Sequence, residues 1–257
     1  MLKVRVIPTL LWKDYGLVKG VSFNSWRRVG SVLPAVKVYN SRDVDELVLL
    51  DITATRQQQP PDHDAIADFS SECSVPLTVG GGINSIDQIV ALLHSGADKV
   101  SINTAAFSNP ELIDLAAARF GAQCIVASID VRRHADGRYS CCSHSGSRGT
   151  DREPVEFARQ LTARGAGEIL LTSVDRDGTM SGYDLALIER VAAAVDVPVI
   201  ASGGAGSYDH MVIAVREAGA SAVAAASMFH FTDLTPAGAK QALHAAGIPV
   251  RRSFLAV

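Results

Sequence analysis

The feature that most constrains the fold is a regular alternation between short apolar runs and amphipathic helical patterns. The apolar runs lie at 4–10, 47–52, 76–80, 99–102, 124–129, 168–173, 198–202 and 222–226. The helical patterns lie near 31–44, 62–73, 85–95, 109–120, 152–164, 184–195, 208–218 and 235–246. Eight strand–helix units in 257 residues predict an α/β fold with one closed parallel sheet, the (β/α)8 or TIM barrel. An open doubly wound sheet is the alternative, but no G-x-G-x-x-G fingerprint follows the first strand.

The two halves of the chain also resemble each other. The segment 75–107 resembles 197–229, and in the same register 44–51 lies over 166–173. The offset of 122–123 residues is close to half the chain. We therefore predict a single barrel domain over 1–257 that consists of two duplicated half-barrels, about 1–120 and 121–257.

Composition excludes several classes of function. The formal net charge is −3, from 24 basic and 27 acidic residues, which argues against a nucleic-acid or membrane-surface binder. No apolar run is long enough to span a bilayer, and the first residues lack a signal-peptide pattern. The four cysteines have no zinc spacing and no C-x-x-C motif, which predicts reduced thiols. We expect a cytoplasmic protein with no cofactor and no metal centre.

Small residues follow the third and fourth strands of each half, where barrels commonly bind phosphate. Glycines let backbone N–H groups approach an anion closely, and helix N-termini favour negative charge. The alternative is that these glycines only form tight turns. Two copies at equivalent positions favour a phosphorylated small molecule with a phosphate at each end. The candidate residues are Gly82, Asn103 and Thr104 in the first half, and Asp177, Gly178, Gly204, Ala226 and Ser227 in the second.

One acid stands out at the end of the fifth apolar run. The run 125–129 ends on Asp130, which predicts a strand that delivers a carboxylate to a site. Overlaying 6–13 on 125–132 places Leu11 on Asp130. If the ancestral half carried an acid here, the first half has lost it, and leucine cannot exchange a proton.

Long segments of the chain resemble the cyclase subunit of imidazole glycerol phosphate synthase. They are DELVLLDITAT (45–55), TVGGGI (78–83), GADKVSINTAA (96–106), GAGEILLTSVDRDGTMSGYD (165–184), IASGGAG (200–206) and FHF (229–231). The resemblance implies a barrel that receives ammonia from a glutaminase subunit and uses it to cleave and cyclise a two-phosphate ribonucleotide. It also implies an acid–base pair of strand-end aspartates, of which the second is Asp130 and the first falls on Leu11.

The N-terminal segment departs from that cyclase. RVIPTLLWKDYGLVKGVSF resembles a paralogous branch that occurs with a glutaminase and a sugar amidotransferase and is associated with acetamidino sugars of surface polysaccharides. Lys19 is retained, and the resemblance places it on a mobile loop over the active site; an exposed loop lysine is the alternative.

The resemblance assigns further residues by position. Arg5, Glu46, Lys99 and Glu168, all near strand starts, match a charged gate at the N-terminal mouth of the barrel; a structural salt-bridge layer is the alternative. Asp98 and Gln123 match partner-facing positions, or are solvated rim residues. The residues expected to line the upper barrel are Asp51, Asn103, Thr172, Ser173 and Ser202, and an extra hairpin is expected at His144 and Ser145.

Three functions follow as hypotheses. The first is the ammonia-accepting subunit of a glutamine amidotransferase complex that supplies ammonia for amidation of a sugar. The second is a cyclase of histidine biosynthesis, which the loss of an acid at Leu11 puts in doubt. The third is a non-catalytic scaffold that activates the glutaminase.

Overall fold

The computed structural model describes residues 3–14 and 16–251 and contains a closed barrel of eight parallel strands. Each strand is hydrogen-bonded to the next, and the last returns to the first, which confirms the predicted (β/α)8 barrel. In order around the barrel the strands are β1 (Arg5–Lys13), β4 (Leu47–Asp51), β5 (Leu77–Gly80), β6 (Lys99–Ile102), β7 (Ile125–Arg133), β10 (Glu168–Ser173), β11 (Val199–Ser202) and β12 (Ala222–Ala225).

Every predicted helical pattern corresponds to an observed helix on the outside of the barrel. These helices are α1 (Val32–Ser41), α3 (His63–Ser71), α4 (Ile86–His94), α6 (Glu111–Phe120), α7 (Pro154–Ala163), α8 (Leu185–Ala192), α9 (Tyr208–Arg216) and α11 (Pro236–Ala245). Short helices that the pattern did not predict are α2 (Ala54–Gln57), α5 (Thr104–Ser108) and α10 (Ser227–Phe231), with a 3₁₀ turn at Ala122–Cys124. They are too short to show a helical period.

Helix starts follow from local chemistry. The side chain of Ser85 accepts a hydrogen bond from the Gln88 backbone N–H, and Ser207 does the same for His210. These N-caps satisfy backbone donors that would otherwise lack a partner at the first turn. They begin α4 and α9, the helices that follow the third strand of each predicted half.

Two strands are longer than predicted because hairpins extend them. The end of β1 pairs with β2 (Gly16–Val21), which pairs in turn with β3 (Asn24–Gly30). The end of β7 pairs with β8 (Tyr139–Ser143), and β8 with β9 (Arg148–Gly149), which is the hairpin that the resemblance implied. We call β2–β3 the lid hairpin. The Ser22 N–H donates to the Asp177 carbonyl oxygen at 2.8 Å, so the lid hairpin is held against the β10–α8 loop.

The apolar core has two parts. The larger part lies between the barrel strands and the helices. The smaller part lies inside the barrel and is called the apolar layer; its buried members are Ile7, Val48, Val126, Leu170, Ile200, Ala222 and Ala224. Because inward-facing side chains of a barrel stack in layers, the apolar layer separates the two ends of the interior.

The two described ends of the chain meet at the N-terminal end of the barrel. The Val4 N–H donates to the Pro249 carbonyl oxygen at 2.8 Å. The Arg251 guanidinium binds the carboxylates of Asp43 and Asp45 at 2.7 and 2.9 Å. The last described residue is therefore tied to the loop that precedes β4.

Among the described residues no helix is long and apolar enough to cross a membrane. Across the same part of the chain, no cluster of histidine, cysteine and acidic side chains could hold a metal ion. The four cysteines are free thiols.

Candidate active site

A cavity opens at the carboxyl ends of the barrel strands. Its empty volume is about 1090 Å³, part of which is open to solvent. The residues predicted for ligand binding and catalysis that line it are Leu11, Lys19, Asp51, Gly82, Asn103, Thr104, Asp130, Thr172, Asp177, Gly178, Gly204, Ala226 and Ser227. Active sites of (β/α)8 barrels lie at this end, so the cavity is the candidate active site.

Asp130 is a buried acid of the cavity. Its side chain lies near the end of β7, and the residue is only 8% exposed. Burial, and in addition the carboxylate of Asp177, raise the pKa of Asp130 to about 7. Asn103 donates from Nδ2 to Asp130 Oδ2 at 3.3 Å and to the Ser128 carbonyl at 3.0 Å. A carboxyl with a pKa near neutrality can both give and take a proton at physiological pH.

Lys19 and Asp177 form a buried ion pair across the cavity mouth. Lys19 Nζ lies 2.8 and 2.7 Å from the two carboxylate oxygens of Asp177, and Lys19 is 2% exposed. Burial raises the pKa of Asp177, and the Lys19 ammonium opposes that rise. The resemblance placed Lys19 on a mobile loop; the structure places it in β2, buried and paired. The alternative of an exposed loop lysine is therefore wrong.

Leu11 lies across the cavity from Asp130. It is on β1, which is four strands away from β7 in the closed barrel, so the two strands face each other. Leu11 is 7% exposed and is paired in register with Val18 of the lid hairpin and Leu50 of β4. The position opposite Asp130 therefore carries an aliphatic side chain with apolar neighbours.

Close local contacts surround both predicted phosphate sites. In the first, the Gly82 N–H donates to Thr55 Oγ1 at 3.2 Å, and Thr104 Oγ1 accepts from the His144 N–H at 2.9 Å. In the second, Gly204 has a φ of +110°, and a Cβ there would lie 2.2 Å from the Gly182 carbonyl oxygen. Only glycine fits that close approach. Ser227 is buried at the start of α10 beside it.

Two other predicted residues have structural partners. Oδ1 of Asp51 accepts from the Thr53 N–H and hydroxyl at 2.8 and 2.7 Å and from the Ala54 N–H at 3.0 Å, so it caps α2. Its carboxylate also borders the cavity. Thr172 of β10 is buried and pairs in register with Asp130.

The extra hairpin contributes one residue to the cavity. Ser145 lines it and donates from its hydroxyl to the Ile52 carbonyl at 3.2 Å. His144 holds Thr104 through its backbone N–H and lies outside the lining. Ser202 lines the cavity, whereas Ser173 is buried outside the lining.

The four residues matched to the gate form a closed ring, called the charge ring. Arg5 lies 2.6 Å from Glu46 and 3.1 Å from Glu168, and Lys99 lies 2.9 and 3.1 Å from the same two carboxylates. Thr78 donates to Glu46 at 2.7 Å. β6 and β10 are not neighbours, nor are β10 and β1, so these side chains must meet across the barrel interior.

Asp98 and Gln123 are exposed residues near the N-terminal end of the barrel. Asp98 accepts from the Leu77 N–H at 2.8 Å. Gln123 donates to the Phe120 carbonyl at 3.3 Å. Their exposure fits either a partner-facing or a solvated position.

Sequence reasoning missed several residues of the site. Trp26 and Phe23 of the lid hairpin line the cavity. Thr9 and Ser101 lie at its floor, and within the described residues their buried hydroxyls have no hydrogen-bond partner. The inward alternation along β1 and β6 could have indicated the two hydroxyls, but no sequence signal indicated Trp26.

A closed (β/α)8 barrel with a buried acid and glycine-rich turns at its carboxyl end defines a class of barrel enzymes. The family model described as "Histidine biosynthesis protein" matches residues 5–235. The match covers most of the chain, and the protein belongs to this family. It is a barrel enzyme of the histidine-biosynthesis type.

Proposed function

We propose that the protein is a cyclase-like subunit of a glutamine amidotransferase complex. It receives ammonia from a glutaminase subunit through the barrel and supplies it for amidation of a phosphorylated sugar in surface polysaccharide biosynthesis. The main observation that supports this proposal is the charge ring, which closes the barrel interior at the end opposite the cavity.

A contribution to stability alone does not explain the charge ring. Buried ion pairs are often no more stabilising than apolar side chains of similar volume, because desolvation offsets their attraction. The charges alternate, and each contacts both opposite charges. A small rearrangement of one side chain opens a polar entrance without leaving a charge unpaired. Such an entrance suits a small polar molecule supplied by a partner.

The interior above the ring favours neutral ammonia over ammonium. The apolar layer lies between the charge ring and the cavity, and it includes the small side chains of Ala222 and Ala224. A neutral molecule crosses apolar surroundings at far lower cost than an ion does. Beyond this layer, the hydroxyls of Thr9 and Ser101 offer hydrogen-bond partners at the cavity floor.

Asp130 is placed to handle the proton of the reaction. When the lone pair of ammonia adds to a carbonyl carbon of the acceptor, the C–N bond forms, the carbon–oxygen π bond breaks and its electron pair moves to the oxygen; the nitrogen then loses a proton, and the Asp130 carboxylate accepts it. A pKa of about 7 suits that step near neutral pH. Leu11 supplies no second acid, so a cyclisation that needs an acid–base pair across the cavity is disfavoured.

The proposed partners are a glutaminase subunit at the N-terminal face and a sugar amidotransferase. Asp98 and Gln123 are exposed near the charge ring and are assigned to the glutaminase contact. The phosphorylated acceptor binds at the opposite end, with Gly204 and Ser227 at its phosphate.

A cyclase of histidine biosynthesis is the second candidate. Asp177 favours it, because its carboxylate lies close enough to raise the pKa of Asp130 and so provides a second acid in the cavity. Asp177 is already bound by Lys19 at both oxygens, and the ammonium favours the ionised carboxylate, which makes Asp177 a poor proton donor.

The first test is ammonium-dependent turnover of the cyclase's two-phosphate ribonucleotide by the purified chain. We expect no enzymatic rate for the native chain and a gain for Leu11→Asp, since one acid–base group contributes ~10²–10⁴-fold. Leu11→Asn is the matched control, of similar size but without an acid. Turnover by the native chain at an enzymatic rate would establish the cyclase instead.

The second test addresses the ammonia route in a complex with a glutaminase and a sugar amidotransferase. Lys99→Met should lower glutamine-dependent amidation and leave ammonium-dependent amidation unchanged. Asp87→Asn, in helix α4, is the control outside the ring. An equal effect on the two nitrogen sources would contradict passage through the ring.

A further inference from the structure

The lid hairpin continues strand β1 of the barrel. Its first strand, β2, pairs with the end of β1 in an antiparallel ladder, with Leu11 opposite Val18 and Trp12 opposite Leu17. All four side chains are apolar and buried. Successive side chains of a strand point to opposite faces, so the ladder carries an apolar pair on each face. Trp12 and Leu17 join the core between the barrel strands and the helices, whereas Leu11 lines the cavity.

The other end of the lid hairpin is bound to the β10–α8 loop. Lys19 contacts both carboxylate oxygens of Asp177 at 2.8 and 2.7 Å, and the Ser22 N–H donates to the Asp177 carbonyl oxygen. The two backbones also touch, because a Cβ at Gly178 would lie 2.2 Å from the Gly20 carbonyl oxygen. Gly178 has a φ of +76°, and only glycine fits there. The hairpin and the loop are therefore in direct contact, without room for a side chain between them.

Two further contacts hold the lid hairpin at the cavity mouth. The Arg27 guanidinium lies 3.5 Å from the centre of the Phe231 ring in α10, which is a favourable cation–π distance. At the turn of the lid hairpin, Phe23 packs on the extra hairpin, because a Cβ at Gly146 would lie 2.7 Å from Phe23 Cδ2. The lid hairpin thus contacts three separate segments. These contacts must break together when the hairpin moves as a unit, which disfavours local opening.

From these contacts we infer that the lid hairpin is a fixed wall of the cavity and that Leu11 is the positioning residue that fixes it. Leu11 pairs in register with Val18 of the hairpin and with Leu50 of β4. An ionised acid at this position would be desolvated between apolar side chains, and movement of the hairpin into solvent would relieve that cost. With leucine, the same movement would instead expose apolar surface to water. Lys19 is therefore held on Asp177 whether or not an acceptor is bound.

A fixed lid hairpin differs from the mobile loop that the resemblance implied at Lys19. The resemblance also implied an aspartate at position 11, which in this chain is Leu11, and the following segment forms a hairpin with buried apolar pairs. One substitution thus removes a proton-transfer group and fixes the segment that carries Lys19. The inference depends neither on ammonia transfer nor on the identity of the acceptor, so it stands or fails separately from the proposed function.

Hydrogen–deuterium exchange of the complete chain without ligand, measured by mass spectrometry, tests whether the wall is fixed. Exchange reports how often backbone hydrogen bonds open. We expect peptides from the lid hairpin to be protected as strongly as peptides from the barrel strand β6. Exchange of the lid hairpin as fast as that of the exposed residues Ala135 and Asp136 would overturn the inference. A gain in protection of the hairpin alone on addition of inorganic phosphate would also overturn it, because a lid that closes on a ligand behaves in this way.

Variants at position 11 separate a positioning role from a general structural role. Leu11→Asp should lower the protection of the lid hairpin ~100-fold relative to β6 in the same sample, a ratio that corresponds to about 2.8 kcal/mol. Leu11→Met, which conserves apolar character and approximate volume, should keep the protection. An equal loss in the lid hairpin and in β6 would show a general loss of stability and contradict the assignment of Leu11. Unchanged protection of the hairpin in Leu11→Asp would contradict it as well.

Discussion

Charged side chains are paired differently at the two ends of the barrel interior. At the N-terminal end, Arg5, Lys99, Glu46 and Glu168 pair completely with one another. At the cavity end, Lys19 is bound to Asp177, and among the described residues Asp130 has no salt-bridge partner. At the N-terminal end the charges therefore bind one another and close the barrel, whereas at the cavity end one acid remains able to bind and release a proton.

The largest expected effect is at the unpaired acid. The shift in the pKa of Asp130 from 3.8 to about 7 corresponds to a cost of about 4 kcal/mol. The folded state holds the proton more tightly than the unfolded state, so stability falls as pH rises from about 4 to about 7. Asp130→Asn should therefore raise the free energy of unfolding at pH 8, by up to about 4 kcal/mol. Urea denaturation at pH 8 and pH 4 measures this.

The control for that prediction is Asp51→Ala, which removes the side-chain oxygen that accepts hydrogen bonds at the start of α2. It should destabilise by about 1 kcal/mol. A gain in stability from Asp130→Asn that is the same at pH 4 and pH 8 would contradict the assignment of the cost to an ionised Asp130.

At the N-terminal end of the barrel, removal of one charge from the charge ring should lower the free energy of unfolding. Glu46 is the most buried member of the charge ring and accepts from Arg5, Lys99 and Thr78. Glu46→Gln leaves two cations with one carboxylate and should lower the free energy of unfolding by about 3 kcal/mol. Urea denaturation at pH 7 measures the change. Glu168→Gln, at a more exposed position, should cost less. A neutral result for Glu46→Gln would show that the ring is not a coupled set.

The smallest expected effect concerns the coupling inside the cavity. Asp177→Asn removes the carboxylate that adds to the rise in the pKa of Asp130. The pKa of Asp130 should fall below about 7 but stay above its ordinary value, because burial is the larger cause. Carbon-13 NMR titration of the carboxyl measures it. An unchanged pKa of Asp130 would show that Asp177 does not act as the second acid of the cavity.

Much of the fold was predictable because periodicity is local. The barrel strands and outer helices followed from apolar runs and amphipathic patterns, and caps such as Ser85 mark their starts. The lid hairpin was missed for a physical reason. Its turn uses Ser22 and Phe23, both with positive φ, where tight hairpins usually carry asparagine or glycine.

The candidate site was predictable where residues lie at strand ends. Asp130 and the charge ring belong to this group, since strand ends converge at each mouth of a barrel. The pairing of Lys19 with Asp177 was not predictable, because the two residues are 158 positions apart and only the tertiary fold brings the lid hairpin to the β10–α8 loop. The duplication of the halves stays a prediction.

The meeting of the described chain ends has a practical consequence for assembly experiments. Val4, Pro249 and Arg251 lie at the same mouth as the charge ring, so a purification handle fused directly to the described range 3–251 would begin beside the surface assigned to the glutaminase. A handle inserted in the turn between β7 and β8, where Ala135 and Asp136 are exposed, would leave that surface clear. Ends held this close also make the chain a candidate for circular permutation, with new ends opened at that turn.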